Sequence, residues 1–403
     1  MWCQKRYASA HYVHHRTVVD TNDNIHVMHS IKHTIHYFLR KVFKSIPMPS
    51  ALRNKIRSLY WARKLPRKTE VDLYQQRIDQ EVNRFADDVN VHDLPEIFHY
   101  WSNKYLLPMF DALGIRGVNE LFADTIALVI EGGGVSGADS QCHVVSMGSG
   151  NCDVEVEVAK LLSARGCDKY VIECIDIVPD MLERGRELVE DEGLADHFIF
   201  TCADIKSWQP EVSSVDVMIA HQSLHHFLEL EILFDKIQAA IGEFGVFVAS
   251  DMIGRNGHMR WPEAKAHIDS IWKGMPDRYK YNHMLQRTEK DFVNWDCSTV
   301  GFEGIRAQDI LPLLLERFNF KLFLGYGNLT DIFIDRAFGH NFDVNNPDDI
   351  AFIDKVSLLD EELIEGGVIK PTHMIAIMSN NKEAVPGKYY KNLSPEFCLR
   401  PAE

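Results

Sequence analysis

Two glycines one residue apart, Gly148 and Gly150, are followed at intervals by single acids, Asp176 and Asp204, and then by His221, His225 and His226. Each residue type suits a distinct task. Glycine lets the backbone turn sharply and approach a ligand. A carboxylate at Asp176 can accept both hydroxyls of a ribose. One at Asp204 can accept from an adenine amino group while Ile205 lies against the ring. Histidine exchanges protons near neutrality. A dinucleotide fingerprint wants a third glycine where Asp153 stands, and an acid at a helix start opposes a bound pyrophosphate. The spacing therefore predicts a nucleoside ligand without phosphates.

Those residues need a scaffold that brings them together. Strand-like runs fall at 143–147, 170–175, 198–202, 215–220 and 245–250, and helical patterns fall at 153–165, 179–192 and 228–241. Gly166, Gly193 and Gly242 stand where helices should stop, and Pro179 where one should start. Alternating strands and helices predict an α/β fold with a doubly wound parallel sheet, whose ligands sit beyond the carboxyl ends of the strands. The glycines, both acids and the histidines all follow strands. One such acid is often a helix cap; two after successive strands, behind a glycine turn, argue for a site.

The order MGSGN, CIDIVPDML, CADI, VDVMIAHQSLHHF and GVFVASD resembles the class I S-adenosylmethionine-dependent methyltransferases, in particular those with SLHHF after the fourth strand. The resemblance covers about residues 140–250 and, more loosely, a strand near 372–378. It implies a seven-stranded Rossmann-like sheet whose last strand is antiparallel, with S-adenosylmethionine as cofactor. By the same resemblance Ser146, Gly148, Ser149 and Gly150 approach the methionine part, and Asp176 with Ile177 the ribose. Asp204 and Ile205 meet the adenine, and His221, Gln222 and Ser223 pass beside the sulfonium. The acid usual two residues before the first glycine is Ser146 here, and the third glycine is Cys152; Asp153 or Glu155 is expected to compensate. His225 and His226 are the candidate proton acceptors. Ser146 and Cys152 also keep open a regulatory protein that binds the cofactor without catalysis. A nicotinamide oxidoreductase is the weaker alternative.

After the fifth strand a long insertion, about 252–318, is dense in aromatic and basic residues, a composition that at a strand's carboxyl end usually carries function. Arg255, His258, Arg260, Trp261, Tyr281, His283 and Trp295 are the expected lining of a pocket for a small-molecule acceptor. A second insertion, at about 328–370, would close it.

The flanks set further bounds. Residues 69–90, 93–115 and 118–130 read as helices forming a cap over 69–138, and the glycine-rich stretch Gly132 to Gly137 reads as a helix stop and linker. Residues 1–68 read as a partly disordered extension with a basic amphipathic helix near 31–44. Residues 1–70 carry 14 basic and 3 acidic side chains, whereas the remainder carries 29 and 55. An acidic body argues against duplex nucleic acid, while the basic end suits a membrane surface or a polyanion. Eight cysteines without CxxC pairs predict reduced thiols, buried at Cys152, Cys167, Cys174 and Cys202, no metal ligand set, and a cytoplasmic protein.

Overall fold

Strand β1 (Cys142–Met147) is buried on both faces, as a central parallel strand must be when helices cover the two sides of the sheet. The computed structural model describes residues 70–85, 94–132, 141–381 and 387–400. The chain divides into two units, one of residues 9–75 and one whose described part begins at Gln76. The expected helix at 31–44, the disordered start and Gly133 to Gly137 lie outside the described residues.

Helix α1 spans Glu70–Phe85, and the expected helix over 93–115 is two helices, α2 (Glu96–Trp101) and α3 (Leu107–Leu113), joined by a π turn at Ser102–Leu106. Pro108 explains the turn: lacking an N–H, it breaks the regular ladder at the junction. Gly114, at φ +79°, ends α3, and Ile115 donates back to Phe110. Helix α4 (Val118–Glu131) follows.

From β1 the chain alternates as read: α5 (Asp153–Ala164), β2 (Tyr170–Asp176), α6 (Pro179–Asp191), β3 (Phe198–Cys202), β4 (Val217–His221), α7 (Leu230–Ile241) and β5 (Val246–Met252). These five strands pair in parallel. The insertion holds α8 (Pro262–Gly274), a short hairpin of β6 (Tyr281–Asn282) and β7 (Arg287–Thr288), and α9 (Ala307–Arg317). Then come β8 (Asn319–Tyr326), α10 (Asp331–Ile334), α11 (Pro347–Glu365), β9 (His373–Ser379), β10 (Lys388–Tyr389) and α12 (Pro395–Cys398).

The main sheet runs β10-β8-β9-β5-β4-β1-β2-β3. The late strand inserts antiparallel as expected, β9 lying between β5 and β8. The strand count differs: eight strands, not seven, because β10 adds a two-residue edge beside β8. Gly387 allows that approach, since a side chain there would meet the Phe320 carbonyl at 2.4 Å. Among the cysteines, Cys152 and Cys174 are buried, but Cys202 is exposed, because β3 is the outer strand of its side, and Cys167, in the turn between α5 and β2, is half-buried. No helix of the described residues is long and apolar enough to cross a membrane.

Candidate active site

The carboxyl ends of β1, β2 and β4 meet around the glycine turn. Gly148 and Gly150 both have positive φ, +70° and +57°. A side chain at Gly148 would stand 2.6 Å from Ser223 Cβ, so the β1 and β4 loops touch only because that side chain is missing. Ser223 completes the contact, donating to the Met147 carbonyl at 2.6 Å. Asp176 closes the turn from β2. Its Oδ2 accepts from the Gly150 amide at 2.9 Å and its Oδ1 from the Val178 amide at 2.8 Å. Burial raises its pKa, partly offset by those two amides. Each oxygen keeps acceptor capacity for a ribose hydroxyl.

Ser146 donates to Glu155 at 2.5 Å, so a carboxylate reaches the end of β1 from the first turn of α5. Burial pushes Glu155 up to about 7, with the Ser146 hydroxyl pulling the other way. Cys152, at φ +61°, takes the left-handed conformation that a glycine there would adopt freely. Asp204 accepts from the Lys206 amide at 3.0 Å, as a turn acid does, and Ile205 beside it is buried. After β4, Gln222 also has positive φ, +49°, and its amide donates to Ser250 in β5. His221 sits edge-on to Phe122 of α4. Ser149 and Ile177 lie on the glycine turn and just past β2.

The two candidate proton acceptors differ. Nδ1 of His225 donates to Asp251 at 2.7 Å, and its Nε2 stands 3.6 Å from Glu303. Burial opposes charge on this ring, but the two carboxylates outweigh it and hold the pKa at about 9. Nδ1 of His226 donates to Glu81 at 2.7 Å, and this ring is more open, 23% exposed. A carboxylate accepts only, so the bond assigns the proton to Nδ1 and leaves Nε2 as an acceptor in the neutral ring. Asp176 feels both Glu81 and His226, which makes the end of β2 and the histidine side neighbours.

Helix α1 supplies groups that sequence reasoning missed. Beyond holding His226, Glu81 accepts from the Phe302 amide at 3.2 Å, and Arg84 pairs with Glu303 at 2.8 Å. Arg184 of α6 donates to the Phe85 carbonyl at 3.0 Å and to Asn151 at 3.0 Å. Asp251 and Glu303 were missed too. Asp251 follows the rule that functional residues end strands, so the motif GVFVASD already carried its signal; Glu81 and Glu303 carried none.

The acceptor candidates scatter. His258 meets Glu303 at 2.8 Å and, with Asn282 and Trp295, lines a narrow groove. Arg260 is buried, paired with Asp331 at 3.1 Å, and also donates to the carbonyls of Asn328 and His258. Trp261 meets the guanidinium groups of both Arg255 and Arg400. Tyr281 stands edge-on to His283, which is hydrogen-bonded to Asn341.

A methyltransferase-domain family model matches residues 138–291. These residues are a methyltransferase domain. Its cofactor is S-adenosylmethionine, and the cradle fits it: a turn that a Cβ would fill at Gly148, faced by Asp176 from the end of β2. No curated protein sequence matches the methyltransferase chain. Among solved structures, one similar fold is geranyl diphosphate C-methyltransferase from Streptomyces coelicolor, in complex with Mg2+, geranyl diphosphate and S-adenosyl-L-homocysteine. It has 10% identity and a TM-score of 0.40, over 75% of this chain and 97% of that one. Another is a sarcosine dimethylglycine methyltransferase, assigned by similarity, from Galdieria sulphuraria. It has 15% identity and a TM-score of 0.40, over 75% of this chain and 98% of that one.

Proposed function

We propose that this enzyme methylates a small organic acceptor through an oxygen or nitrogen atom, with His226 as the residue that meets the acceptor. The observation that carries the reading is the Glu81–His226 pair beside Asp176. Glu81 fixes the ring so that Nε2 presents a lone pair, and a hydroxyl or amine acceptor donates to it. His225 is nine-tenths buried and already engaged by Asp251, which suits a positioning residue.

Gly148, Ser149 and Gly150 cradle the methionine part of the cofactor, Asp176 and Ile177 take the ribose, and Asp204 with Ile205 bounds the adenine. Glu155 supplies the carboxylate that Ser146 does not. Bound S-adenosylmethionine supplies the electrophilic methyl group. The protein aligns the acceptor with it and excludes water, and such alignment contributes roughly 7–11 kcal/mol. Phe85 stands edge-on to His226 at 6.0 Å and walls this side. His258 and Trp295 face the groove by which the acceptor enters; Arg260, saturated by its own partners, positions the loop.

The alternatives separate cleanly. Calorimetry is expected to show S-adenosylmethionine and S-adenosylhomocysteine binding and NAD not binding; NAD binding alone would overturn the reading. Transfer of labelled methyl to small hydroxyl and amine compounds then separates an enzyme from a regulatory binder, which would bind the cofactor and label nothing. The basic N-terminus suits an anionic membrane or polyanion, which a vesicle sedimentation assay would test.

A further inference from the structure

Three side chains from three separate loops converge beside His226: His225 after β4, His258 after β5, and Glu303 before α9. His225 Nε2 stands 3.6 Å and His258 Nε2 2.8 Å from the same oxygen of Glu303, and one donor atom of each residue lies within 4.8 Å of the others. Donors sharing one ion at about 2.0–2.2 Å stand about 3–3.5 Å apart, a spacing these distances bracket. We propose that His225, His258 and Glu303 bind a divalent transition-metal ion of the Zn2+, Fe2+ or Co2+ class.

Two imidazoles and one carboxylate suit that class, whereas Mg2+ and Ca2+ favour all-oxygen sets. Metal-bound histidines usually donate their other nitrogen to a carboxylate that orients the ring. His225 does so: Nδ1 donates to Asp251, which is fully buried and itself held by the amides of Ser223 at 2.8 Å and Leu224 at 2.6 Å. Its ring and that of His258 meet at 73°, so the two approach from different directions. The backbone is shaped to deliver His258. This residue sits at φ +55°, a strained conformation for a non-glycine residue. The Gly257 amide donates to the Gly304 carbonyl at 2.8 Å, and a side chain at Gly304 would stand 3.0 Å from His258 Nε2. All three donor side chains are 5% exposed, so an ion here would be shielded from bulk water. Three protein donors leave positions open for water or an acceptor oxygen. The proposal rests on donor geometry alone and stands whether or not the acceptor reading does.

The test uses the full-length chain, stripped with a chelator, dialysed with Co2+ or Zn2+, and followed by metal analysis and cobalt absorption spectra. One equivalent is expected, surviving replacement of the histidines between His11 and His36 by alanine. Asp251→Asn should weaken affinity 10- to 100-fold. His258→Cys, which keeps a donor, should add a sulfur-to-cobalt charge-transfer band. Wild-type protein that takes up no ion after stripping overturns the proposal, as does uptake lost with the N-terminal histidines or a folded His258→Cys chain without that band. Proton-sharing hydrogen bonds would then account for the cluster.

Discussion

Ser146 and Glu155, nine residues apart, share a buried 2.5 Å hydrogen bond that puts a carboxylate from α5 at the end of β1. The other carboxylate oxygen, Oε2, has no hydrogen-bond partner among the described residues. Burial raises Glu155 from 4.5 to about 7, so the folded protein holds a proton that the unfolded chain releases near 4.5. Folding stability is therefore fully present below about pH 4.5 and falls as pH rises through 7, by about 3 kcal/mol in all. Glu155→Gln, which cannot ionise, should flatten that decline. Denaturant unfolding of both proteins without cofactor from pH 4.5 to 8 checks it, and parallel pH slopes would count against the shift.

Asp176 closes the glycine turn and, in the proposed site, also holds the ribose. Replacing it with alanine should weaken S-adenosylmethionine binding by about 1–3 kcal/mol, the cost of lost charge-assisted hydrogen bonds. Calorimetry reads this directly. Unchanged affinity would remove the ribose assignment.

Gly148 allows the β1 and β4 loops to touch. Gly148→Ala adds a Cβ 2.6 Å from that of Ser223, on a backbone at φ +70°. The expected cost is about 1–3 kcal/mol in stability, together with weaker cofactor binding. Ser223→Gly in the same chain should recover the steric part and leave the backbone part, which thermal melts of the single and double variants would resolve.

Glu81 and His226 act as one unit in the acceptor reading. His226→Gln and Glu81→Gln should each lower kcat/KM roughly 10- to 100-fold with cofactor affinity near wild type. Their double variant should lose little more, since either change breaks the pair. Additive losses would separate the two residues.

Arg260 distinguishes packing from recognition. Its pair with Asp331 is buried at both ends, with side chains 5% and 11% exposed. Arg260→Met leaves that carboxylate uncompensated and should destabilise the fold by about 3–5 kcal/mol. A variant of wild-type stability with raised acceptor KM would return Arg260 to the acceptor pocket.

Local pattern was enough for the five parallel strands and the glycine turn, because alternating strands and helices with glycine stops leave few ways to bury their apolar faces, whereas the antiparallel late strand came from the family resemblance. Charge and residue type picked out the histidines but not their roles. Those depended on Glu81, Asp251 and Glu303, which lie 145, 26 and 78 positions from the histidines they face. Folding sets such neighbours and leaves no periodic trace: a carboxylate on a surface helix and one beside a buried imidazole are the same letter. The eighth strand escaped notice because two residues carry no period. Arg260 read as a ligand-binding cation, and its pairing with Asp331, 71 residues on, left no trace in the sequence. Sequence thus determined what kind of fold and cofactor this chain takes, and tertiary structure decided which charges meet, because burial and pairing, not residue type, set what a titratable group can do.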